Sequence, residues 1–205
     1  MIGFYNYTVI LTYVGIVAGM AGIIAAANGN TFVAILCLIF AGVCDMFDGT
    51  VAKTRKRTPV EKSFGVWIDS LSDLVCFGLL PAFIGFSIGM NRGYYYFIMS
   101  VYVLAALIRL AYYGVTELER QSTSESERVA YDGLPVTTAA LIFPVVYCFK
   151  NILTPDFFPP VYALLLACTA LAFVARFKVK KLKKNGMIAV SFIGALILIF
   201  VIIAR

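Results

Sequence analysis

Histidine is missing from all 205 positions of the chain. Its absence excludes imidazole-activated nucleophiles and the usual zinc centres, and leaves oxygen ligands for a hard cation. Acidic residues are scarce as well, 11 Asp and Glu against 17 Lys and Arg. The five cysteines, Cys37, Cys44, Cys76, Cys148 and Cys168, are odd in number and show no metal-ligand spacing. They read as small apolar packing residues with reduced thiols. Internal repeats, low-complexity tracts and coiled-coil heptads are also lacking.

What the chain has in abundance is apolar surface, with 61% of its residues hydrophobic. A stretch of about 20 apolar residues spans a bilayer. Seven such stretches occur, at approximately 8–28, 31–52, 66–89, 94–114, 134–150, 157–176 and 187–204. The first is long and is followed by six more, so it reads as a span and not as a cleaved signal peptide. The expectation is a single all-α, polytopic, integral-membrane domain over 1–205. Asn28-Gly-Asn30 marks a tight turn between the first two spans. The segment 53–64 reads as a basic loop broken at Pro59, and 115–133 as a polar surface segment of short helix and loop.

The net charge of +6 suits nucleic acid poorly once its distribution is considered. With the N-terminus cytoplasmic, Lys53, Arg55, Lys56, Arg57 and Lys62 share the cytoplasmic side with Arg109, Arg120 and Arg128. Arg176, Lys178, Lys180, Lys181, Lys183 and Lys184 join them, which makes fourteen of the seventeen basic residues. Only Arg92, Lys150 and Arg205 fall outside. This is positive-inside asymmetry, and the basic runs would face anionic lipid headgroups.

Against that background four carboxylates stand out inside the apolar segments: Asp45, Asp48, Asp69 and Asp73. A carboxylate at helix-centre depth costs roughly 2.5–3.5 kcal/mol on insertion scales. Spacings of three and four put each pair on one helix face. The pairs lie on consecutive, antiparallel spans within two or three turns of the cytoplasmic surface. Two facing acidic pairs form a cage for one or two Mg²⁺ or Mn²⁺ ions, a device used to clamp both oxygens in phosphoryl transfer. Gly49, Ala52 and Gly65 continue the acidic faces with small side chains, so a nucleotide or diphosphate can approach the backbone. Lys53 supplies a cation for a phosphate oxygen. Acids alone would suit a cation- or proton-coupled transporter equally well.

The spacing narrows the choice. Asp45-x2-Asp48-Gly49-x2-Ala52-Lys53-x11-Gly65-x3-Asp69-x3-Asp73 resembles the signature of the CDP-alcohol phosphotransferase family, Asp-x2-Asp-Gly-x2-Ala-Arg-x8-Gly-x3-Asp-x3-Asp. Seven of eight fixed positions match. The text from Asp69 to Pro81, Arg109-Leu-Ala and Gly133-Leu-Pro135 resembles the phosphatidylserine synthase branch, over roughly residues 6–150. Two departures stand out. Lys53 replaces arginine and loses its bidentate fork, with Arg55 as a nearby substitute. The gap to Gly65 is also three residues longer.

The resemblance implies a six-helix core, about 6–176, plus an additional C-terminal span at 187–204. It implies that Asp45, Asp48 and Asp69 hold the metals, with Asp73 completing the site and acting as general base. Gly49, Ala52, Lys53 and Gly65 would border the CDP moiety, and Arg109 would bind the carboxylate of serine. The substrates would be CDP-diacylglycerol and L-serine at the cytoplasmic face of the cell membrane. Glycerol 3-phosphate or an inositol phosphate is the alternative acceptor, and the family expectation is a homodimer. Asn6, Thr8 and Thr12 stand where the first span could reach cytidine, and Gly78 and Pro81 where the third could kink.

Overall fold

Glycine and alanine decide how closely the first two helices approach. Helix α1 (Ile10–Ala27) buries Gly15, Gly19 and Gly22 on one face. A β-carbon at Gly19 would lie 2.6 Å from Cys76 Sγ, and one at Gly22 would lie 2.8 Å from the Cys37 β-carbon. Between membrane helices lipid removes the hydrophobic drive, so close van der Waals packing across small residues holds the pair. The turn to α2 (Thr31–Ala52) uses Gly29 at φ +78°, a left-handed conformation that glycine adopts freely. The Asn30 side chain then accepts a hydrogen bond from the Val33 amide at 3.2 Å.

The computed structural model describes residues 3–52, 54–123, 130–180 and 184–203. The third span is one continuous helical path, Pro59–Ser87. It comprises α3 (Pro59–Asp73), a π-helical stretch (Leu74–Leu79) and α4 (Leu80–Ser87). The start at Pro59 corrects the expected start at 66. Pro59 opens the helix, because Thr58 and Glu61 form a reciprocal capping box around it. The Thr58 amide donates to Glu61 Oε2 at 2.8 Å, and the Glu61 amide donates to Thr58 Oγ1 at 3.2 Å.

The π-helical stretch has a local cause and a distant support. Pro81 has no N–H, so the carbonyl of Phe77 cannot receive the usual helical bond from it. The buried Tyr102 hydroxyl donates to that carbonyl at 2.7 Å, and Tyr162 donates to the Pro81 carbonyl at 3.0 Å. Tyr102 belongs to α5 (Gly93–Thr123) and Tyr162 to α7 (Phe158–Val174). The same rings pack on Phe143 of α6 (Ala139–Tyr147), with centroids 5.7 and 5.2 Å apart.

Helix α5 runs to Thr123, so the polar segment expected from 115 is helical for its first two turns. Beyond it, β1 (Ala130–Asp132) pairs antiparallel with β2 (Lys178–Lys180), the one small ribbon among the described residues. Gly133 at φ +75° follows, and its amide donates to Phe177 O at 2.7 Å, so this segment is tied to the end of α7. The last helix, α8 (Lys184–Ile203), buries Val201 and packs on α6 and α2.

Four helical segments among the described residues are long and apolar enough to cross a membrane: Tyr7–Ala27, Thr31–Ala52, Pro59–Ser87 and Gly93–Arg120. Val136–Tyr147, Phe158–Val174 and Phe192–Ile203 are shorter apolar helices. Together they coincide with the seven expected stretches. Val17, Phe97, Leu171 and Ile203 are 69–75% exposed, which suits side chains facing lipid. The protein is an all-α polytopic membrane protein.

Tyr102→Phe should remove the donor that satisfies Phe77 O and leave a buried carbonyl unpaired, at a cost of about 1–3 kcal/mol. A lowered midpoint in thermal unfolding of the detergent-solubilised protein checks this; an unchanged midpoint would show that the carbonyl finds another partner.

Candidate metal and diphosphate site

The four acids meet in one small, narrow cleft. Helix α1 contributes Leu11, Thr12 and Gly15 to its wall, and α2 contributes Ala41, Cys44, Asp45 and Asp48. The third span contributes Asp69, Ser72, Asp73, Cys76 and Phe77. The expected pairing of two helix faces is therefore present, with α1 added as a third wall.

Within the cleft, Asp45, Asp48 and Asp69 each bring one carboxylate oxygen to within 4.8 Å of the others. That convergence, made only of hard oxygen donors, fits a divalent cation such as Mg²⁺ or Mn²⁺. Asp48 and Asp69 are in direct side-chain contact. Like charges so close repel unless a cation or a shared proton lies between them. Asp73 lines the same cleft one turn deeper on α3 and is 9% exposed, more buried than the other three. The geometry thus separates one enclosed acid from three that converge.

A hydrogen bond from α1 reaches one of the acids, and two more tie the third span to α1 around the cleft. Thr12 Oγ1 donates to Asp48 Oδ2 at 3.3 Å, and its own backbone carbonyl accepts from Ser72 Oγ at 3.5 Å. One residue of α1 thereby links the acidic turn of α2 to that of α3. Cys76 Sγ donates to Gly15 O at 3.4 Å, which closes the cleft floor. Thr12 stands in the sequence where it could reach cytidine; in the structure its hydroxyl is bonded to Asp48. No sequence signal announced this, because the partners are 36 residues apart and the bond depends on the packing of α1 on α2.

The N-terminal segment packs on the start of α3 and on Thr54, just after α2. The Asn6 side chain caps the 3₁₀ turn Tyr7–Val9 and donates to Glu61 Oε1 at 3.3 Å. The Thr8 hydroxyl also turns back to Asn6, so both side chains have partners within the chain. Phe4 meets Phe64 edge to face at 5.2 Å, and Tyr7 shares a hydrogen bond with Thr54 at 3.1 Å.

The small residues divide by environment. A β-carbon on Gly49 would meet nothing within 4 Å, so no packing contact within the chain requires that glycine. Ala52 is half-buried one turn after Asp48, and Lys53 lies outside the described residues. A β-carbon on Gly65 would lie 3.0 Å from Arg57 Nη1. Arg55, the expected substitute for Lys53, instead forms an ion pair with Glu61 at 3.5 Å. Arg109 is buried at 6% exposure on α5, with its guanidinium 5.8 Å from the Tyr113 ring centre, and does not line the cleft.

A profile of CDP-alcohol phosphatidyltransferases matches residues 5–175. The chain belongs to this family. The match ends before α8, so the last helix lies outside the family region. Among relatives, a *Saccharomyces cerevisiae* protein named CDP-diacylglycerol–serine O-phosphatidyltransferase is 40% identical over 124 residues, covering 59% of this chain and 44% of that protein. A *Helicobacter pylori* protein of the same name is 30% identical over 146 residues, covering 70% of this chain and 57% of its own length. An archaetidylserine synthase of *Methanothermobacter thermautotrophicus* is 28% identical, covering 63% and 52%. The chain spans about half the length of these relatives.

Thr12→Val keeps the side-chain shape and removes the hydroxyl that orients Asp48. Loss of such an outer contact typically weakens metal binding about 10–100-fold. Equilibrium Mn²⁺ binding should show that loss, and Thr12→Ser should restore most of the affinity. Equal binding by the valine variant would show that Asp48 needs no such support.

Proposed function

We propose that this chain transfers the phosphatidyl group of CDP-diacylglycerol to L-serine, forming phosphatidylserine and CMP. The observation that carries the reading is the converging triad Asp45, Asp48 and Asp69 beside a separate enclosed acid, Asp73, in a chain of this family. The names of the yeast and *Helicobacter* relatives support serine as the acceptor.

Asp45, Asp48 and Asp69 would hold the cation, and Asp73 would complete the site. A divalent ion bound there neutralises charge on the diphosphate. Gly49, with open space above it, leaves room for the CDP moiety, and Ala52, Lys53 and Gly65 would border it. The acyl chains would stay in the bilayer beside the second and third spans.

Asp73 accepts the proton of the serine hydroxyl. The serine oxygen then forms a bond to the β-phosphorus, and the bond from that phosphorus to the bridging oxygen breaks. CMP departs with the bridging oxygen and its electron pair, and the proton on Asp73 passes to solvent. The basic residues at this end of the spans favour a cytoplasm-facing site in the cell membrane. Homodimerisation belongs to the same reading.

The decisive experiment gives purified protein CDP-diacylglycerol, Mg²⁺ or Mn²⁺, and serine, glycerol 3-phosphate or an inositol phosphate in separate reactions. CMP release and a new lipid are expected with serine. Turnover with glycerol 3-phosphate and none with serine would overturn the acceptor assignment.

Asp73→Asn should lower kcat by about a hundred- to ten-thousandfold, the range of a lost general base. Liponucleotide affinity should stay near that of the unaltered protein. A near-normal rate would remove Asp73 from the base role.

A further inference from the structure

The α2–α3 loop carries several cations, and the structure sorts them by partner. Arg55 points to Glu61, which also accepts from the Thr58 amide and from Asn6. Arg55 is thereby committed to the capping network that starts α3. Arg57 turns the other way. Its Nη1 lies 3.0 Å from where a β-carbon of Gly65 would stand, so the guanidinium rests in space that only glycine leaves bare. Arg57 is half-buried there, and among the described residues it forms no ion pair.

Gly65 is one turn before Asp69 on the same face of α3. At ~1.5 Å rise per residue, the guanidinium lies about 6 Å along the helix from the level of the carboxylate triad. A diphosphate whose oxygens meet a cation at the triad would extend along this face toward Gly65, one turn nearer the start of α3. A guanidinium there presents a planar fork of donors to phosphate oxygens, which an ammonium cannot do.

We propose that Arg57 is the diphosphate-binding cation of this chain. It takes over the role expected of an arginine directly after Ala52, where this sequence has Lys53. The longer loop before Gly65 supplies the reach, since its three extra residues let Arg57 turn back onto α3 before the helix starts at Pro59. The small residue at 65 is then needed on this account as a seat for the guanidinium as well as for access of the nucleotide. This assignment rests on the liponucleotide reading above.

The test measures CDP binding to the purified, detergent-solubilised chain in the presence of Mg²⁺ by isothermal titration calorimetry. Arg57→Gln should weaken CDP binding about 10–100-fold, the scale of lost charged hydrogen bonds. Arg57→Lys should recover only part of that loss. Lys56→Gln removes the same charge from an exposed neighbour and should stay within about twofold, since exposed charges are screened. Mn²⁺-induced thermal stabilisation should be unchanged in Arg57→Gln, which shows that the fold and the carboxylate triad are intact. CDP affinity equal to the unaltered protein in Arg57→Gln, or a loss seen with Arg55→Gln in its place, overturns the assignment. If the unaltered protein is stabilised by Mn²⁺ but binds no CDP, the liponucleotide reading falls and this assignment falls with it.

Discussion

Repulsion and desolvation among four carboxylates inside an apolar helix bundle form the constraint on which this structure depends. Asp45, Asp48, Asp69 and Asp73 line a single cleft. Dispersed, each would carry its own burial cost; gathered, three of them bring an oxygen within 4.8 Å of one another, where a single cation would offset all three. Gathering them requires two helices at a common depth and a third wall to exclude lipid. Helix α1 supplies that wall, and its glycines let it come close enough for Thr12 to reach Asp48.

The rest of the bundle supports the third span, where backbone regularity is broken. A π-helical stretch and Pro81 follow the acids directly, and such interruptions leave carbonyls that lipid cannot satisfy. Two buried tyrosines from α5 and α7 donate to those carbonyls, and their rings build the aromatic core with Phe143. The irregular segment thus stands on rigid neighbours while Asp69 and Asp73 face the cleft on the other side. The acidic cleft and the packed core are joined through one span.

Much of this was legible in the chain. Long apolar runs announce membrane helices because nothing else hides their backbone from lipid. The spacing of the acids announces shared faces because helical geometry is local. The start of α3 was legible too, in Thr58, Pro59 and Glu61, although Pro59 reads as a breaker when its capping partners are overlooked. The π-helical stretch was less so, since its hydrogen-bond supply comes from Tyr102 and Tyr162, 25 and 81 residues from their acceptors.

By itself the sequence determined the membrane class, the helical segments and the identity of the four acids, because each follows from composition or from neighbours within a turn. Only the tertiary structure decided which side chain serves which partner. Thr12 went to Asp48, Arg55 to the cap of α3, Arg57 to Gly65, and Arg109 to a buried place beside Tyr113 away from the cleft walls. Those choices turn on ångström-scale approach between helices far apart in the chain. Close packing across glycine sets that approach, and no local pattern of residues encodes it.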